Sequence, residues 1–282
     1  MAIIYPDVLS LRSEGEVFSW TAKDTMLYAL GIGMAADPLD ADELPFVYEK
    51  ELKAAPTLAG VVAWGAMPGT LEINYMMVVD GERKIVFHQP MRTSGEASAV
   101  TRVVGAWDKG AGKGAVLIIE TQLKDVRSAE PLLTITSTIF ARGDGGFGGP
   151  SEGQPEPHAV PTRAPDASLD LPTSAGQALI YRLSGDFNPL HVDPAFARMA
   201  GFPRPILHGM CTYGITCRAV LQTYAGYDPA RFKSHQARFS APVFPGETIT
   251  VDLWKDEDVI SFEARIKDRG VMVIKNGKTV LG

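Results

Sequence analysis

Between Tyr181 and Gly209 the sequence reads YRLSGDFNPLHVDPAFARMAGFPRPILHG. The residue types best suited to chemistry are concentrated there. Asp186 and His191 stand five positions apart, with Asn188 between them. A carboxylate and an imidazole that converge on one small substrate make an acid and a base, and histidine titrates near neutrality. Gly209 follows His208 where a long apolar helix is expected to begin. A glycine there leaves its backbone N–H unobstructed, and the helix dipole favours negative charge at that end. Together these residues suit a reaction that passes through an enolate-like intermediate.

Each of them also has a plainer use. Asp186 can close a turn by bonding its own backbone, and His191 can be a satisfied structural histidine. His191-Val192-Asp193 offers part of a metal site, but no second His or Cys cluster stands at ligand spacing. No metal is therefore expected. Asp193 suits the N-cap of a short helix that opens at Pro194, runs through Met199 and ends at Gly201. His208 can serve only to orient the loop before the long helix. Cys211 suits a small buried apolar position better than the role of nucleophile.

The elements that must position this stretch can be read around it. Ser184-Gly185 signals a turn, Pro189 can open a helix, and Phe202-Pro203-Arg204-Pro205 reads as extended. From Ile206 to Tyr224 apolar residues fall at Leu207, Met210, Ile215, Cys217, Val220, Leu221 and Tyr224, with Gly226 placed to end the helix. A helix apolar over so much of its surface should be buried. An antiparallel sheet wrapped around it is the simplest cover.

The chain reads as two copies of one plan. Thr21–Leu30 parallels Thr173–Leu183, and Gln89–Glu96 parallels Ala241–Glu247. Strand-like runs follow each turn: Ala97–Trp107, Gly114–Leu123 and Leu132–Phe140, then Thr248–Trp254, Val259–Ile266 and Val271–Ile274. Each copy is expected to carry one helix before its strands, which gives a doubled α+β architecture. Residues 143–172 are rich in Gly and Pro and read as an exposed linker between copies at 1–142 and 173–282.

Composition narrows the function classes. A length of 282 residues suggests about two modules. With 45% hydrophobic and 21% charged residues the chain is ordinary globular material, not coiled coil or a disordered chain. The 27 basic and 33 acidic residues leave a net charge of −6 without a basic run, which argues against nucleic acid as a partner. No apolar stretch is long enough for a membrane helix, so no membrane association is expected. The first residues lack the secretory pattern and the last are not a peroxisomal address. Cys211 and Cys217 form no metal or redox pattern, so a reducing, cytoplasmic compartment is expected. No glycine-rich dinucleotide fingerprint follows a strand, so no fused dehydrogenase is expected.

The run from Tyr181 to Met210 resembles the signature of the MaoC-like hydratases, and more closely that of the hydratase 2 branch, the (3R)-specific enoyl-CoA hydratases. The stretches Tyr28–Gly33, Phe140–Gly149 and Ala237–Gly246 extend the resemblance over nearly the whole chain, in the two-repeat form. The resemblance implies a double hot dog fold: two antiparallel sheets side by side, each wrapped around a long helix. It implies reversible addition of water to a trans-2-enoyl-CoA to give the (3R)-3-hydroxyacyl-CoA. The acyl-CoA is then the substrate, and no metal or redox cofactor is needed. The motif D-x-N-x-x-H makes Asp186 and His191 the catalytic pair and Asn188 their support. The His-Gly pair makes Gly209 the oxyanion-hole glycine and sets His208 among the substrate-binding positions. Further contacts to the CoA thioester match Gly81, Lys109 and Phe239, although some relatives have His-Gly where this chain has Asp80-Gly81. In the first copy Gly33 falls opposite Asp186 and Pro38 opposite His191, so one active site per chain is expected. The family's degenerate copy loses the middle of its helix to make room for a bulky acyl chain, and Asp37–Leu44 fits poorly with an intact helix. Relatives are commonly homodimers, so a homodimer is expected here. A hot dog thioesterase and a non-catalytic acyl-CoA-binding module are the competing functions.

Overall fold

The computed structural model describes residues 3–282. Its ten strands are β1 (Glu16–Trp20), β2 (Val78–Phe87), β3 (Gly95–Asp108), β4 (Ala115–Asp125), β5 (Pro131–Ala141), β6 (Ala167–Pro172), β7 (Phe232–Phe239), β8 (Thr248–Asp256), β9 (Val259–Ile266) and β10 (Met272–Leu281). All join one sheet in the order β1-β3-β4-β5-β2-β7-β10-β9-β8-β6. The second half of that order repeats the first in mirror sense, with β6 to β10 taking the places of β1 to β5. The duplication read from the sequence is thus present in the topology. The halves join where β2 pairs antiparallel with β7, Arg83 opposite Ala237 and Ile85 opposite His235.

The six strand-like runs fall on β3, β4, β5, β8, β9 and β10, since alternation puts their apolar residues on one face. In β8, for example, Ile249, Val251 and Leu253 are buried. The other four strands carry no comparable signal. In β2 and β7 the outward positions hold Glu82, Lys84, Gln236 and Arg238, while Ile85, His235 and Ala237 turn inward and are buried. The charges mask two central strands. Strand β1 is too short to show a pattern, and β6 lies inside the stretch that reads as linker.

That stretch is not a free connection. Its last six residues form β6 against β8, with Leu171 buried. Near its start the Asp108 carboxylate accepts the N–H groups of Gly146 and Gly148, both at 2.7 Å. Further on, Asn276 Nδ2 donates to the His158 carbonyl at 2.8 Å and Trp254 Nε1 to that of Arg163 at 2.7 Å. Glycine and proline set the local backbone, but these distant partners tie it to the sheet.

Among the described residues four α-helices accompany the sheet: α1 (Ala22–Gly31), α2 (Gln177–Tyr181), α3 (Pro194–Met199) and α4 (Gly209–Tyr224). Thr21 and Asp24 form a reciprocal cap on α1. Helix α4 starts at Gly209, where it is expected to begin, after an extended His208 with φ −59° and ψ 136°. Every residue from Met210 to Leu221 is buried, as its composition predicts. The helix lies against β6 to β10, with the Tyr213 hydroxyl donating to the His235 carbonyl at 2.6 Å.

In the first half Asp37–Leu44 is not α-helix, as its composition predicts, and the pattern of one long helix per half is thereby lost. Among the described residues this half has no long helix matching α4. Prolines at 38, 45 and 56 interrupt helical propagation, and the buried 3-10 segment Pro56–Gly60 packs against α4 instead. Both halves therefore share α4 as their centre, and the α+β double hot dog keeps one long helix instead of two. Gly214 allows the close approach: a Cβ there would lie 2.4 Å from Ile32 Cγ2. The repeat-equivalent Tyr28 and Tyr181 are both buried, with ring centroids 5.9 Å apart. A buried ion pair adds a second tie. Arg218 of α4 donates to Glu43 from Nε at 2.5 Å and from Nη2 at 2.9 Å, and the Ala35 N–H reaches the same carboxylate at 2.7 Å. Residues 35–43 are held as irregular backbone by that anchor.

Candidate active site

The site grows out of the end of α2. A short 3-10 turn, Arg182–Ser184, closes at Gly185 with φ +123°. That conformation is open to glycine and strained for other residues. It turns the chain out of helix and leaves Asp186 partly buried. One Asp186 oxygen accepts the Asn188 N–H at 3.1 Å, so the aspartate does close a turn, but its second oxygen stays free for chemistry. Asn188 Oδ1 accepts the Leu190 N–H at 3.0 Å and caps the 3-10 turn Pro189–His191. Asp193 caps α3 through the N–H groups of Ala195 and Phe196, as the spacing predicts.

His191 is buried and its Nδ1 lies 2.9 Å from the Ile206 carbonyl. A carbonyl only accepts, so Nδ1 carries the hydrogen and Nε2 carries the lone pair. Nε2 faces Asp186 Oδ2 at 3.8 Å. The sequence-predicted acid and base are therefore together, close enough for one water to touch both. Burial lowers the His191 pKa below its ordinary 6.5, against smaller opposing effects of the Ile206 carbonyl and the Asp186 charge. The imidazole is thereby kept neutral and able to take a proton.

His208 stacks on His191 with ring centroids 3.7 Å apart and an interplanar angle of 27°. Its Nε2 donates to the Asp186 carbonyl at 3.2 Å. It thus braces both members of the pair at once. Burial, and then the charge of His191, push its own pKa down to about 3, so it stays neutral. Asp186, His191 and His208 each offer a ligand atom within 4.8 Å of the others. The set fits a metal poorly. One nitrogen of each ring is held by a carbonyl, and stacked rings aim their lone pairs along nearly parallel planes rather than at one ion.

Gly209 is the first residue of α4. Cys211 and Thr212 give their N–H groups to the His208 carbonyl, whereas those of Gly209 and Met210 have no partner among the described residues. Two donors at a helix start, beside the acid–base pair, form a place for an oxyanion. Phe239 packs over Gly209, its ring 3.4 Å from where a Cβ would stand. Gly81 is the extra residue of a bulge between Asp80 and Glu82, one position beyond the Glu82–Arg238 pair. It therefore lies level with Phe239 at the end of the β2–β7 ladder.

Lys109 is elsewhere. It follows β3, with Nζ 3.4 Å from the Ser151 carbonyl. With Lys84, Thr136 and Arg238 it lines a cavity of about 760 Å³ that residues 151–157 roof over. This cavity lies on the outer face of the sheet and includes neither Asp186 nor His191. Sequence reasoning misses Trp64, whose side chain lies 3.3 Å from a Cβ built on Gly185. It also misses the Ile206 carbonyl that sets the His191 tautomer. Neither leaves a local signal, for Trp64 sits in an unremarked apolar run and any residue has a carbonyl.

Comparison with known proteins agrees with this geometry. Residues 18–143 match the MFE-2 hydratase 2 N-terminal domain and residues 157–277 match the MaoC like domain. Enoyl-CoA hydratase ChsH3 of Mycobacterium tuberculosis is 41% identical over 268 residues, covering 91% of each chain. The chain belongs to the hydratase 2 and MaoC-like dehydratase family. From the same organism, 3-hydroxyacyl-thioester dehydratase Y is 40% identical over 261 residues, covering 90% of this chain and 88% of that one. Among solved structures, a MaoC-like dehydratase from Phytophthora capsici superposes with a TM-score of 0.86 at 32% identity, covering 98% and 96% of the two chains. Asp186, Asn188, His191 and Gly209 all fall in the stretch that matches the MaoC like domain.

Proposed function

We propose that this hydro-lyase adds water reversibly to trans-2-enoyl-CoA and yields the (3R)-3-hydroxyacyl-CoA. The observation that carries the reading is the His191 Nε2 lone pair facing Asp186 Oδ2 at 3.8 Å beside the helix start at Gly209. The thioester carbonyl accepts the Gly209 N–H, which draws electrons from the C2=C3 bond. A water held by Asp186, Asn188 and His191 attacks C3. His191 Nε2 takes the proton that this water loses and passes it to Asp186, which delivers it to C2. Both groups end as they began, so the net change is one water added. Dehydration uses the same groups in reverse. Each group of such a pair is worth about 10²–10⁴-fold. The steps use no metal and no redox cofactor.

Gly81, at the bulge in β2, and Phe239, packed over Gly209, suit the passage of the pantetheine arm. Lys109, with Lys84 and Arg238 around the outer cavity, suits the phosphates of the nucleotide. Lys109→Gln then raises KM for a CoA ester and leaves a pantetheine ester unaffected. Two unpaired buried cysteines support a cytoplasmic site. Exposed Leu30, Leu179, Ile180 and Leu183 on and beside the adjoining α1 and α2 support a homodimer, which a solution mass of twice 30.4 kDa tests.

The deciding experiment follows enoyl-thioester absorbance with crotonyl-CoA and a medium-chain trans-2-enoyl-CoA, with product chirality determined. Loss of absorbance that disappears in Asp186→Asn, with (3R) product, is the expected result. Release of free thiol would mark a thioesterase instead, and binding without turnover a carrier module.

A further inference from the structure

We infer that residues 60–64 of the first half form the wall on which the acyl chain lies, and that Trp64 sets which chains are accepted. The inference rests on the hydratase reading. Two contacts fix the ends of this wall. At one end a Cβ on Gly60 would stand 2.7 Å from Met210 Cε, so the segment abuts the residue after Gly209. At the other end the Trp64 side chain covers Gly185, the residue before Asp186. Five consecutive residues therefore run from the Met210 side chain to the residue before the acid.

A bound enoyl thioester must span the same interval. Its carbonyl belongs at the Gly209 N–H and its C3 at the Asp186–His191 pair. The carbons beyond C3 then continue along whatever borders the acid. The bordering run is Gly60-Val61-Val62-Ala63-Trp64, apolar throughout. Val61 and Val62 are buried, whereas Ala63 and Trp64 are only partly buried against the core. An indole left half-open beside a catalytic carboxylate presents a flat apolar face to a ligand. The run belongs to the half that carries no long helix, so a turn rather than a full helix borders Gly185, and side-chain size at one position of such a turn changes directly the space beside Asp186.

The test measures kcat/KM with crotonyl-CoA, trans-2-octenoyl-CoA and trans-2-hexadecenoyl-CoA. Trp64→Ala is expected to raise the hexadecenoyl-to-crotonyl ratio about tenfold, the scale on which a pocket wall discriminates. Trp64→Phe, which retains the ring atoms nearest Gly185, is expected to move the ratio the same way by about threefold, and it serves if the alanine variant fails to fold. Equal loss on all three esters would overturn the inference, for Trp64 would then act only by holding Gly185 and Asp186. An unchanged ratio in both variants would overturn it too. A wild-type protein that turns over none of the esters contradicts the hydratase reading instead. In that case the binding constants of hexadecenoyl-CoA and crotonyl-CoA, measured by calorimetry in wild type and variant, give the corresponding ratio. A shift in that ratio supports the role of Trp64, and an unchanged one overturns it.

Discussion

Gly209→Pro isolates the oxyanion donor from everything else at the site. Proline removes one backbone N–H and fixes φ near −65°. Position 209 is the first helical residue of α4, where proline is well tolerated because that N–H makes no helical bond. The preceding His208 has φ −59° and ψ 136°, the extended geometry that a following proline demands. The atoms nearest to a Cβ at 209 belong to the Phe239 ring, at 3.4 Å, an ordinary contact. The substitution therefore leaves helix, stack and acid–base pair in place while deleting one donor. Loss of one oxyanion-hole donor costs about 10²–10³ in kcat, or about 2.7–4 kcal/mol of transition-state stabilisation. Gly209→Ala keeps the N–H and should lose less than about tenfold, which separates the donor from mere crowding by Phe239. The assay is crotonyl-CoA hydration with thermal unfolding as a parallel check of the fold. A folded Gly209→Pro enzyme with more than a tenth of wild-type kcat would show that this N–H does not stabilise the transition state.

Four other outcomes are expected. Asp186→Asn preserves an oxygen for the Asn188 N–H and so keeps the turn, yet kcat should fall about 10²–10⁴-fold, read from single-turnover hydration; near-normal turnover sinks the assignment. The acid limb of kcat/KM should have its midpoint below pH 6.5, because burial holds His191 neutral to lower pH; a midpoint above 6.5 contradicts that environment. Stability should also fall in acid. His208 and His235 are buried with pKa values pushed down to about 3, so the unfolded chain binds their protons first. Their contribution is whole above pH 6.5 and is lost as pH drops toward 3, which urea unfolding across that range would record. Finally, Glu43→Leu strands Arg218 without its partner and should cost about 3–5 kcal/mol, whereas adding Arg218→Met should restore most of it. Equal unfolding midpoints for wild type and the single variant would mean that the pair is wet and weak.

What the sequence disclosed follows from the range of the interactions involved. The Asp186 turn, the Asn188 cap and the Asp193 cap each join residues two or three positions apart, so spacing alone displays them. The stacking of His191 on His208 needs the chain to double back between them, and the motif shows the two residues without showing the stack. Contacts from the first half leave no trace of this kind. Glu43 meets Arg218 across 175 positions, and Trp64 meets Gly185 across a comparable gap. The central strands β2 and β7 are hidden for a different reason. Their outward residues are charged, and charge at alternate positions looks like surface until the inward residues are seen to be buried. The retained and lost parts of the first half obey one logic. Its five strands keep the order of the second half because β2 must pair with β7 to close the sheet over α4. Its long helix and its acid–base pair carry no such duty once α4 and residues 186–191 exist in the other half. Within residues 32–67, Ile32, Phe46 and Leu58 are held by the core they fill and Glu43 by its buried ion pair. Trp64 is only partly buried, so the freedom to change falls on a position that borders the acid.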